Sequence, residues 1–540
     1  MSTLIKKPNQ SYLVWVAVSA AFILCVYRLF ILFQSPIPLQ VDEAQYLDWS
    51  RSLAAGYYSK PPLIAWIIAG NNVICSGLGI SQIEGCARLG QPFAILAASL
   101  SITATTWLVS KSISATAWTC FIASTLPFFG FYSLFATTDA WLLMFWSIAL
   151  YLFVLALQES KWQIIYWALG GAAVGFGLLT KYSMAALLLS GLTWMIINRR
   201  IVSLGPWLAA SISILMFSPN IIWNISNGFP TWNHHAEIAQ ISADSQTPSS
   251  LSVHFSSVFE FIASQVVVAG PHLVFFMGVQ VLNYRNYLLP VYGDFPEKSK
   301  LILSLLFLAT WIIIGLAAIQ AFSSRAFANW AAPAYLSACT CLAVWLSDQS
   351  LKSRMQRVLR KCLVLATLSG LTLSLTLIHL PGIAYYSGGI LGYKIRAVEK
   401  LRGWKDLALW IREETAVNNW VVASSDRRVL AAVAAYGYPV VGQVFSWNPA
   451  LQSNSHYHWF YSFQRQEFGA GQRFIVIQIH DKDNVKNSYA ELHPDIVCRP
   501  SCDSSQRYKF VKEITAPLNI NLDGLGGGTE RVRVSEFVIF

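Results

Sequence analysis

Two adjacent carboxylates, Asp42 and Glu43, open the stretch "VDEAQYLDWSRSLAAGYYSKPPL" just after the first long apolar run. A carboxylate here could accept the proton of an attacking hydroxyl group. Lys60 lies downstream, directly before Pro61 and Pro62, whose rings restrict the backbone beside it. A positioned lysine can stabilise a departing phosphate. The stretch therefore contains the residue types needed to displace a phosphate leaving group.

The same residues also have a structural interpretation. Asp42 could cap the N-terminus of a short helix, with Gln45 reaching back in a capping box. Acidic side chains also suit the positive end of the helix dipole. Both interpretations remain open from the spacing alone.

Asp139 in "TTDA" lies at the predicted outer end of an apolar run, where an ionisable group suggests function or a helix cap. Lys181 lies between two apolar runs, and we expect its side chain to extend to the lipid headgroups. Arg325 in "SSRAFANW" could pair with a donor phosphate or anchor to headgroups.

"NGFPTWNHH" contains His234 and His235, which could suggest a metal site. No third ligand has a recognisable spacing, so no metal site is predicted. We expect this loop to line the acceptor or donor entrance, or to anchor its Trp at the interface.

The composition indicates a membrane protein. Of 540 residues, 55% are hydrophobic and 12% charged, against about 25% charged residues in soluble proteins. The 21 Trp and 22 Tyr residues suit the water–lipid interface. The net charge of +11 comes from basic residues in short gaps between apolar runs, which favours a topology signal over nucleic-acid binding.

The apolar runs predict about eleven spanning helices. The first, from Tyr12 to Phe33, is read as a retained helix because no small-residue cleavage site follows it. The region from 62 to 80 is predicted to be a partly buried or interfacial helix. The predicted spans centre near Phe22, Leu96, Ala123, Ala149, Gly171, Leu188, Ile214, Val268, Ala309, Leu336 and Thr372.

Basic residues follow every second span, which predicts a cytoplasmic N-terminus and an outer face that carries the Asp42 loop and the tail. In the tail, "WVVASSD", "YPVVGQVF", "RFIVIQIH" and "RVSEFVIF" read as strands and "WKDLALWIREET" as a helix. We expect "SSDRR" and "NSHYHW" to form solvated loops, although they could contact an anionic acceptor.

The predicted fold class is mostly α, a polytopic transmembrane helical bundle with a small C-terminal α/β extracytoplasmic domain. The predicted domains are 1–380, with a catalytic first outer loop at about 35–87, and 381–540. Most cysteines lie in or beside apolar runs and are expected to behave as small hydrophobes. Cys498 and Cys502 in the polar tail could form a short disulfide outside the cytoplasm.

The motifs "DEAQYLDWSRSLAAGYYSKPPL", "ARLGQPF", "TTDAWLLMF", "GLLTKYS", "PNIIWNISNGFPTW" and "NWAAPAY" resemble those of C-type superfamily (GT-C) membrane glycosyltransferases. The resemblance is to glycosyltransferase family 39 and its bacterial relatives, over about Val41 to Tyr335. These include protein O-mannosyltransferases and the lipid A aminoarabinose and galacturonosyl transferases.

The resemblance implies roles for individual residues. Asp42, with Glu43 beside it, matches the catalytic base, and Asp139 matches the second outer-face acid. Tyr57 and Lys60 in "YYSKP" match donor phosphate ligands.

Arg88 in "ARLG" matches the arginine that opens the next span and is predicted, like Arg325, to bind the donor phosphate.

The expected function is transfer of a sugar from a polyprenyl-phosphate donor to a glycolipid such as lipid A, on the periplasmic face of a bacterial inner membrane. An active site outside the cytoplasm has no nucleotide sugar, so the donor must be lipid-linked. Cofactors are not required, and a divalent metal is not predicted. Protein Ser or Thr acceptors are one alternative, and a lipid or sugar transporter is another.

Overall fold

The computed structural model describes residues 11–158, 160–238, 251–282, 297–323, 326–346, 353–387, 401–447, 455–463, 466, 468–480, 508–515 and 531–539. The chain forms two compact units. The first comprises Met1–Gln34, Lys60–Ile64 and Arg88–His379. The second comprises Ser35–Ser59, Ala65–Ala87 and Leu380–Phe540, so the first predicted outer loop groups largely with the tail. The predicted domain division at residue 380 stays a prediction.

The described residues up to 387 form helices and the short segments that connect them. The α-helices are α1 Ser11–Gln34, α2 Val41–Trp49, α3 Leu63–Gly77, α4 Ile83–Arg88, α5 Gln91–Ser110, α6 Ile113–Ser124, α7 Pro127–Tyr132, α8 Thr138–Ala156, α9 Gln163–Thr180, α10 Ala185–Ile197, α11 Leu204–Ser226, α12 Pro230–Ile238, α13 Leu251–Ala269, α14 Pro271–Leu282, α15 Glu297–Ser323, α16 Ala332–Leu346 and α17 Ser353–Ser387. Short 3₁₀ turns at Tyr182–Met184 and Ala328–Ala331 precede α10 and α16.

Seven of the described helices are long and apolar enough to cross a membrane. They are Ser11–Gln34, Ile83–Ser110, Thr138–Ala156, Gln163–Thr180, Leu204–Ser226, Ser299–Ser323 and Lys361–Ser387. Shorter apolar helices occupy Leu63–Gly77, Ile113–Ser124, Tyr182–Ile197 and Phe255–Ala269. The prediction of a polytopic helical membrane protein is confirmed, and every predicted span centre lies on a helix.

Two predicted spans are interrupted. The run around Ala123 breaks after α6, and Pro127 starts α7. The run around Val268 breaks at Gly270, and Pro271 starts α14. Proline lacks a backbone N–H and is therefore favoured at the first position of a helix rather than inside one.

Close contacts between helices hold the first unit together. A Cβ atom at Gly171 of α9 would lie 2.4 Å from the carbonyl oxygen of Ala209 in α11, so only glycine permits this approach. Ser213 of α11 donates a hydrogen bond of 3.0 Å to the Gly171 carbonyl. Small residues are typical of such contacts within membranes. The packing fixes α9, whose C-terminal end leads directly to Lys181.

The tail forms the α/β part of the second unit. Its elements are α18 Trp404–Asn418, β1 Val421–Ser424, α19 Arg427–Gly437, β2 Phe445–Ser446, α20 His456–Phe460, β3 Arg473–His480, β4 Tyr508–Thr515 and β5 Arg531–Ile539. The strand order is β2-β1-β3-β5-β4. β1 is parallel to β2 and β3, and β5 is antiparallel to β3 and β4. The predicted small α/β region is confirmed.

Some tail details were predicted wrongly. "YPVVGQVF" contributes only Phe445 to the two-residue strand β2, because Pro439 and Gly442 disfavour a regular strand. "NSHYHW" is not a solvated loop, since the side chains of His456 to His458 are buried in α20. "SSDRR" joins β1 to α19 and exposes Ser425 and Arg427, as expected. Burial of the aromatic residues in "NSHYHW" explains the second difference.

Candidate active site

Asp42 and Glu43 lie in the first turn of α2. The residue that caps this helix is Gln40, so the alternative of Asp42 as the cap paired with Gln45 is wrong. Glu43 is buried, and its Oε2 accepts a hydrogen bond of 2.9 Å from the Gln40 backbone N–H. Glu43 thus performs the capping-box role, three residues after the cap.

Asp42 faces solvent. Its side chain is 59% exposed, and its Oδ1 lies 3.3 Å from Nη2 of Arg427, the first residue of α19. Asp426 caps the same helix by accepting a hydrogen bond of 2.7 Å from the Arg428 backbone N–H. An exposed carboxylate held from one side can accept a proton from a molecule that approaches from the solvent.

Tyr57 is buried and holds the loop after α2. Its ring stacks on Trp49 at 4.4 Å. Its hydroxyl donates toward the carbonyl oxygens of Trp49 and Ser52, at 3.0 and 3.1 Å, and accepts from the Ala54 N–H at 3.1 Å. Burial raises the pKa of Tyr57 to about 12. This geometry positions the loop, and the donor-phosphate role inferred for Tyr57 stays a prediction.

Asp48, which the sequence analysis missed, lies at the other end of α2. Its Oδ2 accepts a hydrogen bond of 3.2 Å from the Tyr457 hydroxyl, and Oδ1 lies 4.0 Å from Arg51. Burial raises the pKa of Asp48 and, more strongly, that of Tyr457. His456 packs edge-on to Trp49 at 5.2 Å, and burial lowers the pKa of His456 to about 3. The sequence feature that could have identified Asp48 was the set of aromatic residues around "LDW".

In the first unit, Asp139 forms an ion pair that the sequence analysis did not predict. Asp139 lies in the first turn of α8, and its Oδ1 is 2.8 Å from Nζ of Lys181 at the end of α9. Asn329 donates to the same oxygen at 3.2 Å. The expectation that Lys181 extends to lipid headgroups is therefore wrong. The sequence feature that could have predicted this ion pair was the opposite charge of two residues at the predicted outer ends of consecutive apolar runs.

Lys60 and Arg88 both belong to the first unit. Lys60 is partly exposed in the non-helical segment before α3. Arg88 ends α4 and is buried, with its guanidinium carbon 5.3 Å from the centre of the Phe135 ring. Their roles toward a phosphate stay predictions.

The structure describes only part of the remaining predicted residues. His234 is partly exposed in α12, and the side chain of His235 in the same helix lies outside the described part. Arg325, Cys498 and Cys502 also lie outside the described residues. Within the described ranges, no three His, Cys, Asp or Glu side chains form a group that could hold a metal ion.

A disulfide bond joins Cys75 of α3 to Cys86 of α4 in the second unit. The expectation that cysteines in the apolar runs are simply small hydrophobes is therefore wrong for this pair. The same expectation agrees with the buried free thiols of Cys25, Cys120 and Cys339.

Comparisons with known proteins agree with the predicted resemblance. Residues 59–223 match the family described as dolichyl-phosphate-mannose-protein mannosyltransferase. It is also 33% identical over 310 residues to the lipid A galacturonosyltransferase RgtD of Rhizobium johnstonii. That alignment covers 57% of this chain and 60% of the relative's own length. The matched family and RgtD are both described as glycosyltransferases, the class of enzyme that the motifs predicted.

Solved structures show the same fold. The apo oligosaccharyltransferase of Archaeoglobus fulgidus matches with a TM-score of 0.51 and 13% identity, over 80% of this chain and 65% of that chain. The oligosaccharyltransferase AglB of the same organism, in complex with an inhibitory peptide and a dolichol-phosphate, matches with a TM-score of 0.50 and 14% identity, over 81% and 65% of the two chains. The predicted GT-C fold is confirmed.

Proposed function

We propose that this chain is an inner-membrane glycosyltransferase that transfers a sugar from a polyprenyl-phosphate donor to an envelope glycolipid such as lipid A. The observation that carries the proposal is the 33% identity over 310 residues to an enzyme named for the galacturonosylation of lipid A. The GT-C fold and the apolar helices support a membrane-embedded enzyme.

In the proposed reaction, Asp42 accepts the proton of the acceptor hydroxyl as its oxygen attacks the anomeric carbon. A new carbon–oxygen bond forms to the acceptor, and the bond to the donor phosphate breaks with its electron pair on the leaving polyprenyl phosphate. Direct displacement inverts the anomeric centre. The exposed carboxylate of Asp42 supports this role. Lys60, Arg88 and Arg325 are the proposed cations for the departing phosphate.

The remaining predicted residues receive supporting roles in this proposal. Glu43 caps α2, as its buried hydrogen bond to Gln40 indicates. Asp139 has its proposed catalytic role as the partner of Lys181 in the ion pair of the first unit. His234 and His235 would contribute to the acceptor or donor entrance.

The proposed active site faces the periplasm. The cationic gaps support this orientation through the positive-inside rule. The disulfide between Cys75 and Cys86 gives independent support, because disulfides persist in oxidising compartments and are rare in the cytosol.

A second candidate is transfer to Ser or Thr of a protein. The match of residues 59–223 to the protein mannosyltransferase family favours it. Mass spectrometry of envelope glycolipids and secreted proteins from a deletion strain separates the two candidates. We expect one glycolipid to lose a sugar residue, and an unchanged glycolipid profile would exclude the preferred acceptor.

Direct transfer by purified protein tests the catalytic assignment. The full chain in detergent micelles is supplied with a panel of polyprenyl-phosphate sugars and lipid A. We expect Asp42→Asn to lower the transfer rate at least about a hundredfold. Glu413→Gln, on the exposed face of α18, is the matched control and should retain the rate. Full activity of Asp42→Asn would exclude Asp42 as the base.

A further inference from the structure

The second unit contains an open pocket of about 420 Å³ that the proposed reaction does not yet use. It lies at the carboxyl ends of the parallel strands β1 and β3. The lining residues are Ser425, Asp426, Arg427, Ser455, His458 and Ile479.

The topology makes this position a favourable one for a ligand. From β1 the chain passes through α19 to β2 on one side, whereas β3 lies on the other side of β1 and pairs onward with β5. The strand that follows β1 along the chain, β2, and the strand that follows β3, β4, thus lie on opposite sides of the β1–β3 pair. In open α/β sheets, ligands bind in the crevice at the carboxyl ends of such strands.

His458 provides an independent indication of a ligand. It is 9% exposed and lines the pocket. Neither ring nitrogen makes a hydrogen bond of good geometry with any residue that the structure describes, although the backbone of Ser425 lies near the ring. Burial lowers the pKa of His458, so the ring is neutral near pH 7 and can donate one hydrogen bond. Buried polar groups normally have partners.

The charges at the pocket favour an anion. Asp426 is the lining carboxylate, and Arg428 approaches both of its oxygens, with Nε at 3.0 and 3.1 Å and Nη2 at 2.6 Å. That acid is therefore neutralised. Arg427 is the lining cation, and its guanidinium also lies 3.3 Å from the exposed carboxylate of Asp42. The N-terminus of the eleven-residue α19, which Asp426 caps, adds the positive end of the helix dipole.

We propose that this pocket binds a phosphate monoester of the acceptor glycolipid. Arg427 and the hydroxyls of Ser425 and Ser455 supply hydrogen-bond donors suited to the phosphate oxygens, and His458 lines the same pocket. The assignment deepens the proposed function and rests on it.

Binding at this pocket also acts on Asp42. Arg427 holds the Asp42 carboxylate, with 3.3 Å between Nη2 and Oδ1. A phosphate on Arg427 competes for the same guanidinium and releases the carboxylate. Acceptor binding and exposure of the proposed base are thereby coupled.

Lipid binding to the purified full chain tests the proposal. Phosphorylated lipid A, the same lipid after phosphatase treatment, and inorganic phosphate as competitor are the probes. We expect the phosphorylated lipid to bind at least about tenfold more tightly than the dephosphorylated one. Arg427→Met and, separately, Ser425→Ala should reduce this preference. Arg412→Met, an exposed residue of α18, is the matched control and should not.

Asp42→Asn gives a second readout. If the ion pair between Asp42 and Arg427 were only structural, this substitution would not change the affinity for the phosphorylated lipid. Removal of the competing carboxylate should tighten binding of the phosphorylated lipid about two- to fivefold, even though transfer is lost. Equal affinity of wild-type protein for both lipids, even if inorganic phosphate binds, would overturn the pocket assignment. Sugar transfer to both lipids would then leave the proposed function standing, whereas absence of transfer to either would count against the function itself.

Discussion

The ion pair between Asp139 and Lys181 makes a specific prediction about stability. The side chains are 8% and 17% exposed, and Oδ1 and Nζ are 2.8 Å apart. Lys181→Met would leave a buried carboxylate whose remaining partner among the described residues is Asn329, at 3.2 Å. Breaking a buried pair on one side typically costs about 3–5 kcal/mol. Because Asn329 remains, we expect a loss near the lower end, about 3 kcal/mol.

The double variant Asp139→Asn/Lys181→Met removes both charges and should recover most of this loss. A coupling free energy of about 2 kcal/mol or more is expected from the resulting cycle. Lys161→Met is the matched control, because Lys161 is exposed in the same unit and its ammonium lies 5.3 Å from the Trp162 ring. It should change the unfolding free energy by no more than about 1 kcal/mol.

Unfolding by SDS titration in mixed micelles, followed by Trp fluorescence, measures these differences. If Lys181→Met were no more destabilising than Lys161→Met, or if the double variant were no more stable than Lys181→Met, the reasoning from burial would be refuted. The transfer rate of the folded double variant then reports separately on the catalytic role inferred for Asp139.

Three further predictions follow from the second unit. In a variant whose other cysteines are Ala, the SDS-denatured protein should react with a maleimide at Cys75 and Cys86 only after reduction, because both side chains are buried in the folded protein, and labelling without reductant would contradict the disulfide. Glu43→Ala should lower the unfolding free energy by about 1 kcal/mol, whereas Glu43→Gln keeps the cap; equal losses would exclude the capping role. Burial lowers the pKa of His456 to about 3 from 6.5, so only the unfolded chain binds the proton between these values. Stability should therefore fall by about 2 kcal/mol from pH 7 to pH 5, and His456→Phe should flatten this dependence in thermal unfolding.

The membrane helices were predictable because their signal is local. A run of about 20 apolar residues can satisfy its backbone in lipid only as a helix, whatever surrounds it. The predicted centres at Phe22 and Ala149 thus lie in α1 and α8. The breaks before Pro127 and Pro271 were readable from the same sequence, since proline restricts helices locally.

The tail was harder to predict because strands depend on partners. β3 carries a continuous apolar run and was recognised, whereas β4, Tyr508–Thr515, has mixed polarity and was not. β4 is a strand because β5 pairs with it, and that pairing is set by the rest of the sheet.

The candidate site divides in the same way. The residue types of Asp42, Lys60 and Asp139, and the motifs around them, follow from the sequence by itself and indicate a class of chemistry. Their partners depend on the fold. Arg427 meets Asp42 because helices distant in sequence pack side by side. Lys181 meets Asp139 because the consecutive helices α8 and α9 pack against each other. Side-chain burial and electrostatic pairing are properties of the packed chain, and so the tertiary structure decided which carboxylate faces solvent and which is enclosed.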